Sequence, residues 1–482
     1  MPTDVSHLIY IFSDILSADV FLDITMTACE HPTLCFDVSV HAEEAGFIRL
    51  SAAQRLAAAR PSGRVSVATR TTLSRETATN DPTEHAVLDS TFPAPLVVPG
   101  DELSWDPKYG PQSFRSCAQL HARDAATPRR RTVYLVPPPE FAGDARFVNA
   151  WTNPRDLDGS IRPPSVSEVV PYLGAFYHGI EVKLLNSQLL FRKWDNGVRR
   201  KPATKAARRE KATAIQDVAL DTGSELFRIR ARACETFPAQ LNLNDLLDVA
   251  IWILPDDAYA LLMLVHHDLF EDEEDDFCCG RAYGGSRVAV VSTARYNPLL
   301  DAQEELDRYH AWPASHCKQY LDQCCAAARA QEPKKKRQKM SPIDSKPSET
   351  DGTAMGAALA AHLAHTRVMP GVKPPYHSLE DIWLGWVCKT ASHELGHCFG
   401  IDHCVYYACV MQGAAGLRED ARQPPYLCLV DTVKLLKTTG AKEQDWLHAL
   451  LRFCRGVAND ALFGAFAAWL ERRSQEVEAS QP

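Results

Sequence analysis

Between Ala391 and His403 the chain reads Ala-Ser-His-Glu-Leu-Gly-His-Cys-Phe-Gly-Ile-Asp-His, which sets His393, Glu394, His397, Gly400 and His403 in an H-E-x-x-H-x-x-G-x-x-H string. On a helix, positions four apart stand on one face, one turn above the other. His393 and His397 can therefore present two imidazole nitrogens to one ion at about 2.0–2.1 Å, the reach of a zinc–imidazole bond. Gly400 allows the left-handed conformation that ends a helix at low cost, after which the chain can reverse and return His403 as a third ligand. Three neutral imidazoles leave a tetrahedral Zn2+ one open position for water, which is the layout of a catalytic site. Glu394, adjacent to the first ligand, leans over the metal without coordinating it. There it can take the water's proton and later deliver it to a leaving group. The indicated chemistry is metal-assisted hydrolysis.

A helix must carry this string, and it can start at Ser378, with Asp381 as a capping-box partner, and run through Trp383, Trp386 and Val387. Upstream, Thr132–Val136 is a β-branched and aromatic run stopped by three prolines. A helix near Ser165 to Tyr177 is opened by the capping pair Ser165 and Glu168 and contains Pro171. Ile180–Leu185 reads as a strand, Asn242–Trp252 as a helix, Tyr259–Phe270 as a buried strand and Arg287–Arg295 as another strand. The acidic run Glu271–Asp276 reads as a solvated loop. Strands alternating with helices predict an α/β layer architecture. Residues 51–130 are rich in Ala, Arg, Ser, Thr and Pro without a sustained apolar period, so most of that stretch reads as disordered or loosely attached, and the N-terminal region, 1–130, is expected to be variable, irregular and largely disordered. The expected catalytic domain spans 131–472, with flexible insertions at about 196–230 and 331–374, followed by a tail, 473–482.

The 482 residues carry 52 Lys+Arg against 61 Asp+Glu, a formal charge of −9, which argues against a dedicated nucleic-acid binder. Hydrophobic residues at 45% give ample material for a core, so neither disulfide nor metal is needed merely to fold. Leu8–Ile24 is fairly apolar but is interrupted by Asp14, Asp19 and Asp23 with no basic residue before it, so it reads poorly as a signal peptide. No stretch reaches the roughly 18 uninterrupted apolar residues of a membrane span. The 15 cysteines are then expected as reduced thiols or metal ligands in a cytoplasmic protein. Lys334-Lys-Lys-Arg337 fits a nuclear import segment.

Just past the motif lie His403-Cys404, Cys409-Val-Met411 and Cys428-Leu-Val-Asp431. This combination resembles the archaemetzincins, a branch of the metzincin metallopeptidases, densely over Lys389–Leu436 and more loosely back to about Arg131. The resemblance implies an α/β metzincin-like zinc peptidase domain with a twisted mixed sheet and an active-site helix. It implies a zinc metallopeptidase that hydrolyses peptide bonds in a peptide or protein substrate, and it suggests an aminopeptidase acting on short peptides. Met411 would lie in the Met-turn beneath the zinc. Cys404, Cys409 and Cys428 would bind a second, structural zinc whose fourth family cysteine falls on Asp431. That site could be Cys3Asp, could borrow another group such as Cys398, or could be lost. In metzincins an edge strand before the catalytic helix pairs with substrate, and Arg287–Arg295 is the candidate; individual substrate-binding residues are not legible. A different class, a catalytically weak zinc-binding scaffold recognising peptides or a nuclear partner, has no need for Glu394. Elsewhere, Cys29, His31, Cys35 and His41 have a spacing that fits no common zinc finger, His266-His267-Asp268 reads as strand-end polarity, and His316-Cys317 and Cys324-Cys325 match no metal pattern.

Overall fold

The structure, a computed structural model, describes residues 29–64, 84–120, 126–195, 215–331, 352–366, 376–457 and 461–480, less residues 30, 32, 107, 108, 158–160 and 187. Leu8–Ile24, the basic part of the insertion at 196–212 and Lys334–Arg337 lie outside the described residues.

The main sheet contains β1 (Thr132–Val136), β2 (Glu181–Leu184), β3 (Ala258–Val265), β4 (Gly280–Tyr283) and β5 (Val288–Ser292), in the order β4-β5-β3-β1-β2. All neighbours are parallel except β4, which runs antiparallel to β5 at the edge. Every residue of β3 is buried, as a parallel strand covered on both faces requires. The period-2 alternation sorts its side chains: Ala260, Leu262 and Leu264 join one core cluster, and Leu261, Met263 and Val265 the other. The first face is covered by α1 (Val166–Phe176), and the second by α2 (Leu243–Trp252), which Asn242 caps by accepting the Asp245 N–H. The Ser165–Glu168 capping box opens α1 as its sequence indicates.

Further along, α3 (Ala354–Thr366) and α4 (Tyr376–Cys398) precede α5 (Leu429–Thr439), α6 (Glu443–Gly456) and α7 (Ala461–Ala479). α4 starts two residues before Ser378, so Ser378 and Asp381 lie inside the helix instead of capping it. α7 runs past position 473, where composition suggested a tail, and Thr91 donates to its Glu476 at 3.0 Å. Strands Val218–Asp221 and Leu226–Ile229 occupy the end of the insertion expected at 196–230.

Two strand expectations need correction. Tyr259–Phe270 is not one strand: β3 stops at Val265, and Asp268–Phe270 pairs with Gln240–Asn242 in another sheet. The break is held by Arg295, whose Nε and Nη2 both donate to the buried Asp268 carboxylate, at 3.0 and 2.7 Å. The Arg287–Arg295 segment narrows to β5 and is interior, with Arg287 in the left-handed region at φ 62°. The sheet's two edges are β4 and β2, and β4 is the one beside α4. No helix among the described residues is long and apolar enough to cross a membrane.

Candidate metal centre and active site

α4 carries His393 and His397 on one face, and the chain turns after it through Gly400 at φ 75°. His403 then returns to the same point, so that a ligand nitrogen from each of the three rings lies within 4.8 Å of the others. His393 Nδ1 donates to the Val410 carbonyl at 2.6 Å, and His397 Nδ1 to the Ile401 carbonyl at 2.8 Å. Each bond fixes the tautomer and leaves the lone pair on Nε2, the usual way a backbone carbonyl orients a metal-binding imidazole. The two Nε2 atoms face each other at 3.1 Å. Two nitrogens bound to a tetrahedral zinc at about 2.0–2.1 Å stand roughly 3.3–3.4 Å apart. Opposed lone pairs at such a separation repel unless a cation lies between them, so these residues fit zinc. Burial lowers the pKa of all three rings, with His403 lowered to about 3, which keeps them neutral as ligands must be.

Glu394 is buried on the sheet side of α4, where a Cβ on Gly280 of β4 would stand 3.1 Å from its Cγ. Burial pushes its carboxyl up to about 8 against the opposing charge of Arg281. Arg281, on β4, also donates to Glu271 Oε2 at 2.7 Å and its charge reaches His397 and His403. Tyr109 packs edge-on against His403 with centroids 5.2 Å apart. Sequence reading singled out neither residue, because they come from separate segments that only the fold brings to the motif.

Met411 is fully buried beneath α4, and its carbonyl accepts the Cys404 N–H at 2.8 Å, closing the turn under the histidines. Behind this turn, Cys404, Cys409, Cys428 and Asp431 form a second buried donor cluster. Cys404 and Cys428 Sγ are 3.5 Å apart, and Asp431 Oδ2 lies 3.3 Å from Cys409 Sγ and 3.5 Å from Cys428 Sγ. The other Asp431 oxygen accepts from Lys434 Nζ at 2.7 Å. Three thiolates and a carboxylate around a dication leave two surplus negative charges, and Lys434 offsets one. Burial pushes the Cys404 thiol up, but its contacts with Cys409 and Cys428 and the charge of Lys434 bring it well below its ordinary value. Cys398 is not in this cluster; it is buried near Glu394.

One residue of the N-terminal region ties the two clusters together. Gln112 Nε2 donates to the Gly400 carbonyl at 3.0 Å and Asp402 Oδ2 at 2.7 Å, while its Oε1 accepts from Lys434 Nζ at 2.9 Å. The described residues of the N-terminal region are largely irregular, yet this part of it is seated between the two donor sets. Three other sequence candidates are engaged elsewhere: Cys35 Sγ donates to the Asp37 carbonyl, His41 pairs with Glu44, and His267 Nε2 donates to the Val148 carbonyl.

Residues 354–437 match the family model described as Peptidase family M54. Archaemetzincin-2 of Homo sapiens is 22% identical over 368 residues, covering 76% of each chain. Archaemetzincin of Methanopyrus kandleri is 42% identical over 48 residues, 10% of this chain and 27% of that one. The crystal structure of the Methanopyrus kandleri archaemetzincin aligns with 66% of this chain and 99% of its own, at 16% identity and a TM-score of 0.29. A zinc-dependent peptidase from Methanocorpusculum labreanum aligns with 63% and 99%, at 15% identity and a TM-score of 0.26. The mixed α/β fold and the long helix bearing the histidine motif define a zinc metallopeptidase of the metzincin type. Within that class the chain is similar to the archaemetzincins, with residues 354–437 matching peptidase family M54.

Proposed function

We propose that His393, His397 and His403 hold the catalytic zinc and that Glu394 is the proton-transferring base in peptide-bond hydrolysis. The observation carrying this reading is the convergence of imidazole lone pairs, two of them 3.1 Å apart, beside a buried carboxylate. When bound, zinc supplies Lewis acidity, polarising the scissile carbonyl and acidifying water. Glu394 accepts the proton of the attacking water as its oxygen bonds to the carbonyl carbon. It then gives that proton to the amine nitrogen as the C–N bond breaks. His393 and His397 are held in the ligand tautomer by Val410 and Ile401 throughout. Cys404, Cys409, Cys428 and Asp431 hold a second, structural zinc in this reading.

Substrate adds to the sheet along β4, the half-buried antiparallel edge, whose Gly280 lies against Glu394. Four residues of edge grip only a short extended stretch, which suits short peptides and chain termini. Glu271, beside Arg281 on the same rim, supplies a carboxylate for a substrate's α-ammonium group, and this favours aminopeptidase action.

The base is tested with Glu394→Gln, which should retain zinc and lose about 10²–10⁴-fold in kcat; undiminished turnover would remove Glu394 from the role. Exopeptidase action is tested with paired peptides bearing free or acetylated N-termini. Free peptides should be cut faster, and equal rates would refute the aminopeptidase reading.

A further inference from the structure

A third donor cluster lies well away from the histidine motif in sequence. Cys29, His31 and His310 bring ligand atoms within 4.8 Å of one another. Cys317 Sγ stands 3.4 Å from Cys29 Sγ but outside the 4.8 Å cluster that Cys29 makes with the two imidazoles. All four residues are buried, none more than 4% exposed. The two histidines arrive with their tautomers already set. His31 Nδ1 donates to the Cys29 carbonyl at 3.0 Å, and His310 Nδ1 to the Asp307 carboxylate at 2.5 Å. Both Nε2 atoms are left buried and without a hydrogen-bond partner, although a buried polar atom left unmatched costs about 1–3 kcal/mol. The rings lie side by side, centroids 5.0 Å apart and 26° from parallel, so two lone pairs go unanswered in the same place. His362 stands nearby with its Nε2 engaged by the Tyr309 carbonyl at 3.2 Å and its Nδ1 buried without a partner, but it lies outside the 4.8 Å cluster.

We propose that Cys29, His31 and His310 form a structural zinc site, which Cys317 closes as fourth ligand when its thiolate moves from beside Cys29 toward the two imidazoles. Two thiolate and two imidazole donors are the borderline-soft tetrahedral set that selects zinc. Sulfurs bound at about 2.3 Å in a tetrahedron are roughly 3.8 Å apart, close to the 3.4 Å between Cys29 and Cys317. The Asp307–His310 pair is the carboxylate–histidine arrangement that orients a ligand from behind. A Cys29–Cys317 disulfide would leave both Nε2 atoms unanswered, so the imidazoles favour the metal. Gln319 Oε1, 3.6 Å from Cys29 Sγ, is the remaining polar contact of that thiol. The zinc acts as a clasp. It fastens the segment that starts at Cys29 to the loop preceding the helix Lys318–Gln331, beside the backbone bonds Cys35 N–H to His316 O and Lys318 N–H to Thr33 O.

Metal content of the full-length chain, expressed with zinc and counted by inductively coupled plasma mass spectrometry, tests the clasp. Cys29→Ser and His310→Gln should each carry about one zinc per chain fewer than the parent. The same difference should persist when both chains also carry His397→Ala, which separates this site from the catalytic one. Folded variants with the parent's zinc content would overturn the proposal. If neither variant folds, the parent decides by peptide mapping after iodoacetamide treatment. Alkylation of Cys29 and Cys317 should rise together when a chelator withdraws zinc. Equal alkylation with and without chelator, or recovery of the two cysteines as one disulfide-linked pair, would overturn the proposal.

Discussion

Gly396, between the two histidines of α4, has no room for a side chain: a Cβ there would stand 2.4 Å from Met411 Sδ and 2.9 Å from its Cε. Two effects compete when it is replaced by alanine. Alanine gains roughly 1 kcal/mol of helix propensity over glycine, whereas overpacking a closed core costs typically about 1–3 kcal/mol. Met411 is fully buried and cannot swing into solvent, so the clash should win. Gly396→Ala is expected to lower the urea midpoint by the equivalent of up to about 2 kcal/mol. Paired with Met411→Ala it should destabilise less than the sum of the single changes, by at least about 0.5 kcal/mol. Additive effects would show that Met411 is not the obstacle. The role of Met411 in this reading is mechanical: a soft side chain fills the space beneath the ligands, and the helix is trimmed to glycine to receive it.

The edge strand makes a comparable demand on β4. A Cβ on Gly280 would meet Glu394 Cγ at 3.1 Å, Val290 O at 3.2 Å and Val291 Cγ2 at 3.2 Å. Two of these neighbours belong to β5 and are fixed by the sheet, leaving the Glu394 side chain to move. Misplacing a reacting group by about 1 Å can cost on the order of 10²-fold, so Gly280→Ala should lower kcat about 10- to 100-fold with zinc content unchanged. Unaltered kcat would mean that β4 does not set the position of Glu394. What the sequence discloses at this scale follows the range of the forces involved. Local signals were legible: β1 by its β-branched run, α1 by its capping box, the histidine face of α4 by its spacing. Interactions between distant segments were not. Nothing near Tyr259 announces that the chain leaves the sheet at His266, because the cause is Arg295 gripping Asp268. Interior β5 and edge β4 differ in what pairs beside them, which composition does not encode. Gln112, Tyr109 and Arg281 reach the site only through tertiary folding, as do Cys29 and His310, separated by most of the chain.

At the scale of the molecule, the donor clusters differ in how solvent reaches them. The rings of His393, His397 and His403 are only partly buried, whereas Cys404, Cys409, Cys428 and Asp431 are fully enclosed. Gln112 closes the latter from the N-terminal side by bonding Lys434. A chelator can therefore meet an ion held by the histidines directly, but one held by the thiolates only after local opening, whose free energy approaches that of the surrounding core. Metal bound to the native state alone also stabilises that state by mass action, so each loss should lower Tm in its own phase. Incubation with 1,10-phenanthroline should abolish peptide cleavage in a fast phase with a first fall in Tm. A slower phase should then release further zinc and lower Tm again, and adding zinc after the fast phase alone should restore activity fully. Zinc release, activity and Tm followed on one time course check this order. If all zinc leaves in a single phase with activity, the histidine site is not the more accessible one, and the division into an open catalytic centre and enclosed structural donors fails.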